Sequence, residues 1–146
     1  MKRRKELHGL SDSHHTALIV AFRCKRAGAG QGDLTVDEAW SQAKKLGLDH
    51  LADHFRVEEE LLLPALRELG EATMAERIAA EHQELRQFLE VSGANGDQVA
   101  AFGDLLDRHI RYEERIVFEQ TQDRLPQTVM DAIATSAPHD RSCSVS

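Results

Sequence analysis

Two stretches of the chain combine imidazole and carboxylate at a spacing that could hold a cation: His54-Phe-Arg-Val-Glu58-Glu59 and His109-Ile-Arg-Tyr-Glu113-Glu114. Both read His-x-Arg-x-Glu-Glu, and the His and first Glu stand four apart, which puts both side chains on one face of an α-helix. On a wheel at about 100° per residue, Leu51, Phe55, Leu62 and Leu69 centre an apolar stripe in the first stretch. His54, Glu58, Leu61 and Ala65 fall inside it, whereas Glu59 and Glu60 point away. In the second stretch Phe102, Leu105, Leu106, Ile116 and Val117 define the stripe, with His109 and Glu113 near its middle and Glu114 outward. The wheel therefore predicts Glu58 and Glu113 to be buried. Burying an unpaired carboxylate is costly, and no Lys or Arg falls on either stripe, so a bound cation is the expected counter-charge. Imidazole with carboxylate is a ligand set for iron, zinc or manganese. On this reading, replacing Glu58 or Glu113 loses the metal and replacing Glu59 does not.

Two further helices offer lesser versions of the pattern. Ile78, Leu85 and Leu89 set an apolar face flanked on opposite sides by Glu81 and His82; Leu18 and Phe22 mark another, flanked by His14 and His15. Taken singly, a His on such a face is usually a hydrogen-bonded core residue, and a Glu-Glu pair is usually solvated. The joint occurrence carries the metal reading: four helices present His, His-Glu, His and His-Glu to a common core.

The elements that must position these groups read as helices, since nothing alternates with period two and β-branched residues are sparse. Ser11 or Asp12 is the expected cap of a first helix ending at Ala27-Gly28. Thr35 and Glu38 form a capping box opening a short helix to Leu46-Gly47. A run from Leu48 to about Leu69 follows, with Pro64 as a kink or break and Gly70 as its end. Glu71 to Val91 forms the next helix. A long one runs from the Asn95-Gly96-Asp97 turn to Leu125-Pro126, and a short amphipathic piece covers Gln127 to Ala134. Four main helices with one apolar stripe each bury those stripes together as an antiparallel four-helix bundle, with a short helix before the second metal-binding helix and another at the C-terminus. The expected organisation is a single domain over 1–146, its core at about 10–125 and residues 135–146 a disordered tail.

Composition excludes several function classes. The 146 residues carry 18 Lys plus Arg against 25 Asp plus Glu, a formal charge of −7, which argues against nucleic acid or an anionic membrane face as partner. The basic start, Met1 to Lys5, reads as a tail. No apolar run is long enough for a membrane span or a signal peptide, so the cytoplasm is the expected location. Cys24 and Cys143 are too far apart in sequence and setting to suggest a disulfide framework. The compositional oddity is 8 His in a short acidic chain.

The ordered set Ser13-His14-His15-Thr-Ala-Leu18, His54-x-x-x-Glu58, Glu81-His82 and His109-x-x-x-Glu113 resembles the hemerythrin-like family of HHE cation-binding domains, over roughly residues 10 to 125. That resemblance implies a four-helix bundle holding two oxo- or hydroxo-bridged iron ions, with zinc or manganese as alternatives. Carried over by position, His54 and His109 are terminal ligands, one to each iron, Glu58 and Glu113 bridge, and His82 is the ligand from the third helix. His15 is expected from the first helix, because its spacing to Leu18 and Phe22 fits, with His14 in reserve. The chain departs from the oxygen carriers of the family at Ile78, where they have a second His on the third helix. Glu81 or His50 could substitute there, although His50 alone reads as a partly exposed helix residue.

The expected function is to bind or sense O2, NO or peroxide, or to hold iron. The rivals are a di-iron oxidase, peroxidase or nitric-oxide-handling enzyme on the same ligands, and a structural bundle with a single zinc or no metal. The expected partners are a small diatomic or peroxide, with a homo-oligomer or a protein partner as the macromolecular options. Tyr112 and Trp40 read as packing residues, Cys24 as a poor ligand, and Arg56 and Arg111 as surface partners of Glu59, Glu60 or Glu114.

Overall fold

The computed structural model describes residues 2–138 of the chain, and every element among them is helical. A 3-10 turn, Lys5–Leu7, leads into α1, His8–Gly28. The helix thus begins ahead of Ser11 and Asp12 and has no side-chain cap; Ser11 lies inside it and donates to Glu114 at 2.9 Å. The basic start is not a free tail. Arg4 N–H donates to the buried Gln122 Oε1 at 2.9 Å, and Arg3 reaches the Glu114 carbonyl at 2.7 Å.

The Thr35–Glu38 capping box is present and opens α2, Val36–Leu46. Gly47 does not end it. The backbone stays helical through a wide five-residue turn, Gly47–Leu51, then α3, Ala52–Val57, a second wide turn, Glu58–Leu62, and α4, Leu63–Glu68. The short helix expected before the metal-binding one is therefore continuous with it. Gly47 is there for closeness, since a Cβ would fall 2.8 Å from Leu89 Cδ1. Pro64 sits in the first turn of α4, where its missing N–H costs little, so it does not break the rod. Gly70, at φ 84°, ends the rod. Then come α5, Ala72–Glu90, and α6, Gly96–Tyr112, opened by an Asn95–Gln98 capping box. A third wide turn, Glu113–Val117, joins α6 to α7, Phe118–Thr121, and α8 is Gln127–Ser136. Thr135 and Ser136 belong to α8, while residues 139–146 of the expected tail, Cys143 among them, lie outside the described residues.

The core has two apolar halves. One joins α1, α2, α3, α5 and α6 around Trp40, Phe55, Phe102 and Leu106; the other joins the start of α1 and the end of α3 with α4, α5, α7 and α8 around Leu66, Ile78, Phe118 and Met130. Each long helical run passes from one half to the other. Where it crosses, it carries a buried His or Glu: position 14 in α1, 54 and 58 in the rod, 82 in α5, and 109 and 113 in the last run. A polar layer thus lies between two dry ones.

The inward face of α1 is made of His14, Ala17, Ala21 and Cys24, with Leu18 half-buried and Phe22 57% exposed. Small residues face α6 because the two helices touch: a Cβ on Gly103 would fall 2.6 Å from the Ala21 carbonyl oxygen and 3.0 Å from Cys24 Cβ. Phe22 lies outside under the Arg26 guanidinium, 5.5 Å from its ring centre. Trp40 packs edge-on to Phe102 and donates to the Val91 carbonyl at 3.1 Å. The close crossing makes a prediction. Gly103→Val overpacks α1 against α6 and lowers unfolding free energy by about 1–3 kcal/mol in a denaturant titration; an unchanged midpoint contradicts the contact.

Candidate metal centre

Six buried side chains converge in the polar layer: His14, His54, Glu58, His82, His109 and Glu113. The two carboxylates are 0% exposed and lie at the centre. His14 Nε2 approaches Glu113 Oε1 at 2.9 Å, and His109 Nε2 approaches Glu113 Oε2 at 3.1 Å. His82 Nε2 is 3.0 Å from Glu58 Oε1, and His54 Nε2 is 3.2 Å from Glu58 Oε2. All four rings aim Nε2 inward. Ligand atoms fall into two overlapping groups of four, His14–His54–Glu58–Glu113 and Glu58–His82–His109–Glu113, with atoms in each within 4.8 Å of one another.

The local fold explains the convergence. Wide turns begin at Glu58 and at Glu113, where the N–H groups of Leu63 and Phe118 reach back to the Glu58 and Glu113 carbonyls. Such turns are rare and concentrate at functional sites. Each takes an extra residue and turns the chain beyond it relative to a uniform wheel. Accordingly Leu61 is only half-buried and Ile116 is 39% exposed, while Leu63 and Phe118 go inside.

The residues fit a metal on an observation independent of any resemblance. Nε2 of His14, His54 and His109, Oε2 of Glu58 and both oxygens of Glu113 are buried without a hydrogen-bond partner, although imidazole and carboxylate are close. Their separations are short, yet the directions do not suit a hydrogen bond. Lone pairs aimed at a common space are what a cation requires.

A second layer surrounds the first. Nδ1 of His14 meets Glu114 Oε2 at 2.6 Å, Nδ1 of His82 meets Glu59 Oε2 at 2.8 Å, and Nδ1 of His109 meets Glu81 Oε1 at 2.9 Å. Arg86 grips Glu59 through both oxygens, at 2.8 and 2.9 Å, and Arg77 holds Glu81 at 3.3 Å while lying 3.7 Å over the Tyr112 ring. Phe55 stacks on His82 at 3.9 Å.

Several expectations are corrected here. His14, not His15, faces the carboxylates, and His15 is exposed, because the inward face of α1 follows Ala17, Ala21 and Cys24 rather than Leu18 and Phe22. Glu59 and Glu114 do not point freely into solvent; each backs an imidazole from a neighbouring helix, so Glu59 now has a part in the site. Glu81 stands behind His109 rather than inside the cluster. His50 lies exposed on the wide turn before α3. Arg56 pairs with Asp53 and Glu60, as a surface residue, whereas Arg111 pairs with Asp107 because Glu114 is engaged. Cys24 is buried in the apolar half, and burial pushes its thiol up to about 12.

Electrostatics follow from the burial. Burial alone lowers the His54 pKa, but the charges of Glu58 and Glu113 beside the ring outweigh it and lift it to about 9. His82 rises to about 9 and His109 to about 10 by the same balance, burial opposed by Glu113 and Glu58. Burial pushes Glu113 up, yet the His109 charge holds it well below the usual carboxylate range.

A family model, described as the hemerythrin HHE cation binding domain, matches residues 7–121. No match was found among curated proteins or among solved structures.

Two outcomes are expected from this geometry. Glu58→Ala and Glu113→Ala each abolish metal uptake measured by elemental analysis, whereas Glu60→Ala, at an exposed position, does not; equal retention in all three contradicts the assignment of the buried pair. The ring pKa values are raised above 6.5, so the protonated rings stabilise the metal-free protein fully below about pH 6.5, and that stability is lost as pH rises through 9 to 10. Metal displaces those protons, so the metal-loaded chain should hold its denaturation midpoint across this window while the metal-free chain loses it. Identical pH profiles contradict the account.

Proposed function

Because the chain belongs to the hemerythrin HHE cation-binding family over residues 7–121, we propose that this metal-binding protein holds two iron ions and uses them to bind or sense O2, NO or a peroxide, or to keep iron in store. The observation that supports the reading best is the pair of overlapping quartets, each with two imidazoles and both buried carboxylates. In this reading His14 and His54 would hold one ion and His82 and His109 the other, with Glu58 and Glu113 within reach of both. Zinc and manganese suit the same donors and are the alternatives.

A bound iron pair supplies a redox-active Lewis-acidic centre. The protein supplies charge, orientation and dryness. Glu58 and Glu113 offset two positive charges of the metal pair. Glu59, Glu81 and Glu114 fix the tautomer of the rings they touch, keeping the Nε2 lone pairs inward. Phe55 and Phe118 cover the cluster with apolar surface. His54 borders a cavity of about 170 Å³ lined by Leu10, Ser13, His50, Asp53 and Val57, which offers a small molecule an approach.

Ile78, fully buried in the second apolar half, stands where the oxygen carriers of the family have a further His. With four imidazoles, positions are left for solvent or an incoming ligand, which favours sensing or holding over reversible oxygen carriage. The enzyme reading uses the same residues. Binding is preferred to turnover because the second-layer carboxylates are each paired with an imidazole, leaving none of the three free to deliver protons. No helix among the described residues is long and apolar enough to cross a membrane, and a cytoplasmic location is part of the proposal.

The test is purification with iron, metal analysis and optical spectroscopy. About two iron ions per chain with near-ultraviolet absorption from a bridged ferric pair are expected, and bands that shift reversibly with NO or O2 mark a binding protein. Continuous consumption of peroxide or NO supports the enzyme instead, and a folded chain that takes up no iron contradicts both.

A further inference from the structure

The two halves of the cluster have the same inner donors and different outer ones. Each offers two imidazoles and shares Glu58 and Glu113. On one side both rings are backed by carboxylates: His82 Nδ1 by Glu59 at 2.8 Å, and His109 Nδ1 by Glu81 at 2.9 Å. Both backing groups are themselves fixed, Glu59 by the two-pronged grip of Arg86 and Glu81 by Arg77. On the other side only His14 is backed, by Glu114 at 2.6 Å, with Ser11 and Arg3 on that carboxylate. His54 Nδ1 is buried and has no hydrogen-bond partner. Its ring packs against His14 at 4.6 Å and Phe55 at 6.2 Å between centres, and only its Nε2 faces a carboxylate, Glu58 at 3.2 Å.

A carboxylate that accepts the Nδ1–H of a ligating imidazole fixes its tautomer, orients the ring and makes Nε2 a better donor. Removing such a group typically costs ten- to a hundredfold in metal affinity. The inner donors are equal in number, so the outer layer decides which side is stronger. We infer that the two metal positions are unequal and that the position between His82 and His109 fills first, with Glu59 and Glu81 as the positioning residues that set the order. This rests on the two-metal reading above. Repulsion between two cations in one cavity makes any second ion bind more weakly than the first, but it does not say which side is first; the carboxylates do.

The experiment separates the two sides by the step they control. The full metal-free chain is titrated anaerobically with ferrous iron, with bound ions resolved by native mass spectrometry and affinities read by calorimetry. Glu81→Gln is expected to weaken the first binding step by about ten- to a hundredfold and to leave the second nearly unchanged. Glu114→Gln is expected to leave the first step unchanged and to weaken the second by a similar factor. Glu59→Gln should reproduce Glu81→Gln, which guards against a folding defect in either one. General structural damage would weaken both steps, so a step-specific loss reports positioning. The inference is overturned if Glu81→Gln and Glu114→Gln weaken the same step, or if their effects are exchanged. Wild-type protein that takes up no ferrous iron refutes the two-iron reading itself and the order of filling with it.

Discussion

Two carboxylates at the centre of a helical bundle set the terms for everything around them. Glu58 and Glu113 are completely removed from water, and among the described residues no Lys or Arg pairs with either. Left alone, each would cost several kcal/mol, the effective penalty of a buried ion after relaxation. The chain surrounds them with four imidazoles, which can be protonated or can turn lone pairs to a metal. Both answers use the same geometry, so the metal-free and metal-loaded proteins can share one fold. The carboxylate charge that raises the ring pKa values is the same charge toward which the four Nε2 atoms converge.

The rest of the structure serves that layer. Two apolar halves clamp it from either end, and the contact of α1 with α6 at Gly103 brings His14 to the carboxylate on the opposite helix. Wide turns at Glu58 and Glu113 interrupt the regular helix where the two buried charges sit. Outside the imidazoles, Glu59, Glu81 and Glu114 form a partial ring, anchored by Arg86, Arg77 and Arg3. The docked start of the chain belongs to this support, since Arg3 holds the carboxylate that holds His14.

Much of this was legible in the sequence. The His-x-x-x-Glu repeats, the lack of strand patterning and the Thr35–Glu38 box depend on local spacing, which a uniform wheel reads well. The failures have physical causes. Leu18 and Phe22, as large apolar residues, point to His15 on a wheel, but a tight helix crossing selects small residues for the inner face, Ala17, Ala21 and Cys24. Gly47 looked like a helix end and is a point of close approach to Leu89. Glu59 and Glu114 looked solvated because each sits next to an inward residue on its own helix. Their partners, His82 and His14, come from other helices, and no single-helix wheel can show a contact between helices. The wide turns also shift the register, which carried Ile116 out of the stripe it was assigned to.

Whether Glu58 and Glu113 are shared by a pair of metal ions can be seen by anomalous diffraction. Crystals of the iron-loaded protein, measured at the iron absorption edge, should show two peaks about 3.5–4 Å apart, the spacing usual for two-metal sites. One should lie against His14 and His54 and the other against His82 and His109, with Glu58 and Glu113 touching both. An empty layer, or iron only at the surface, would contradict the account.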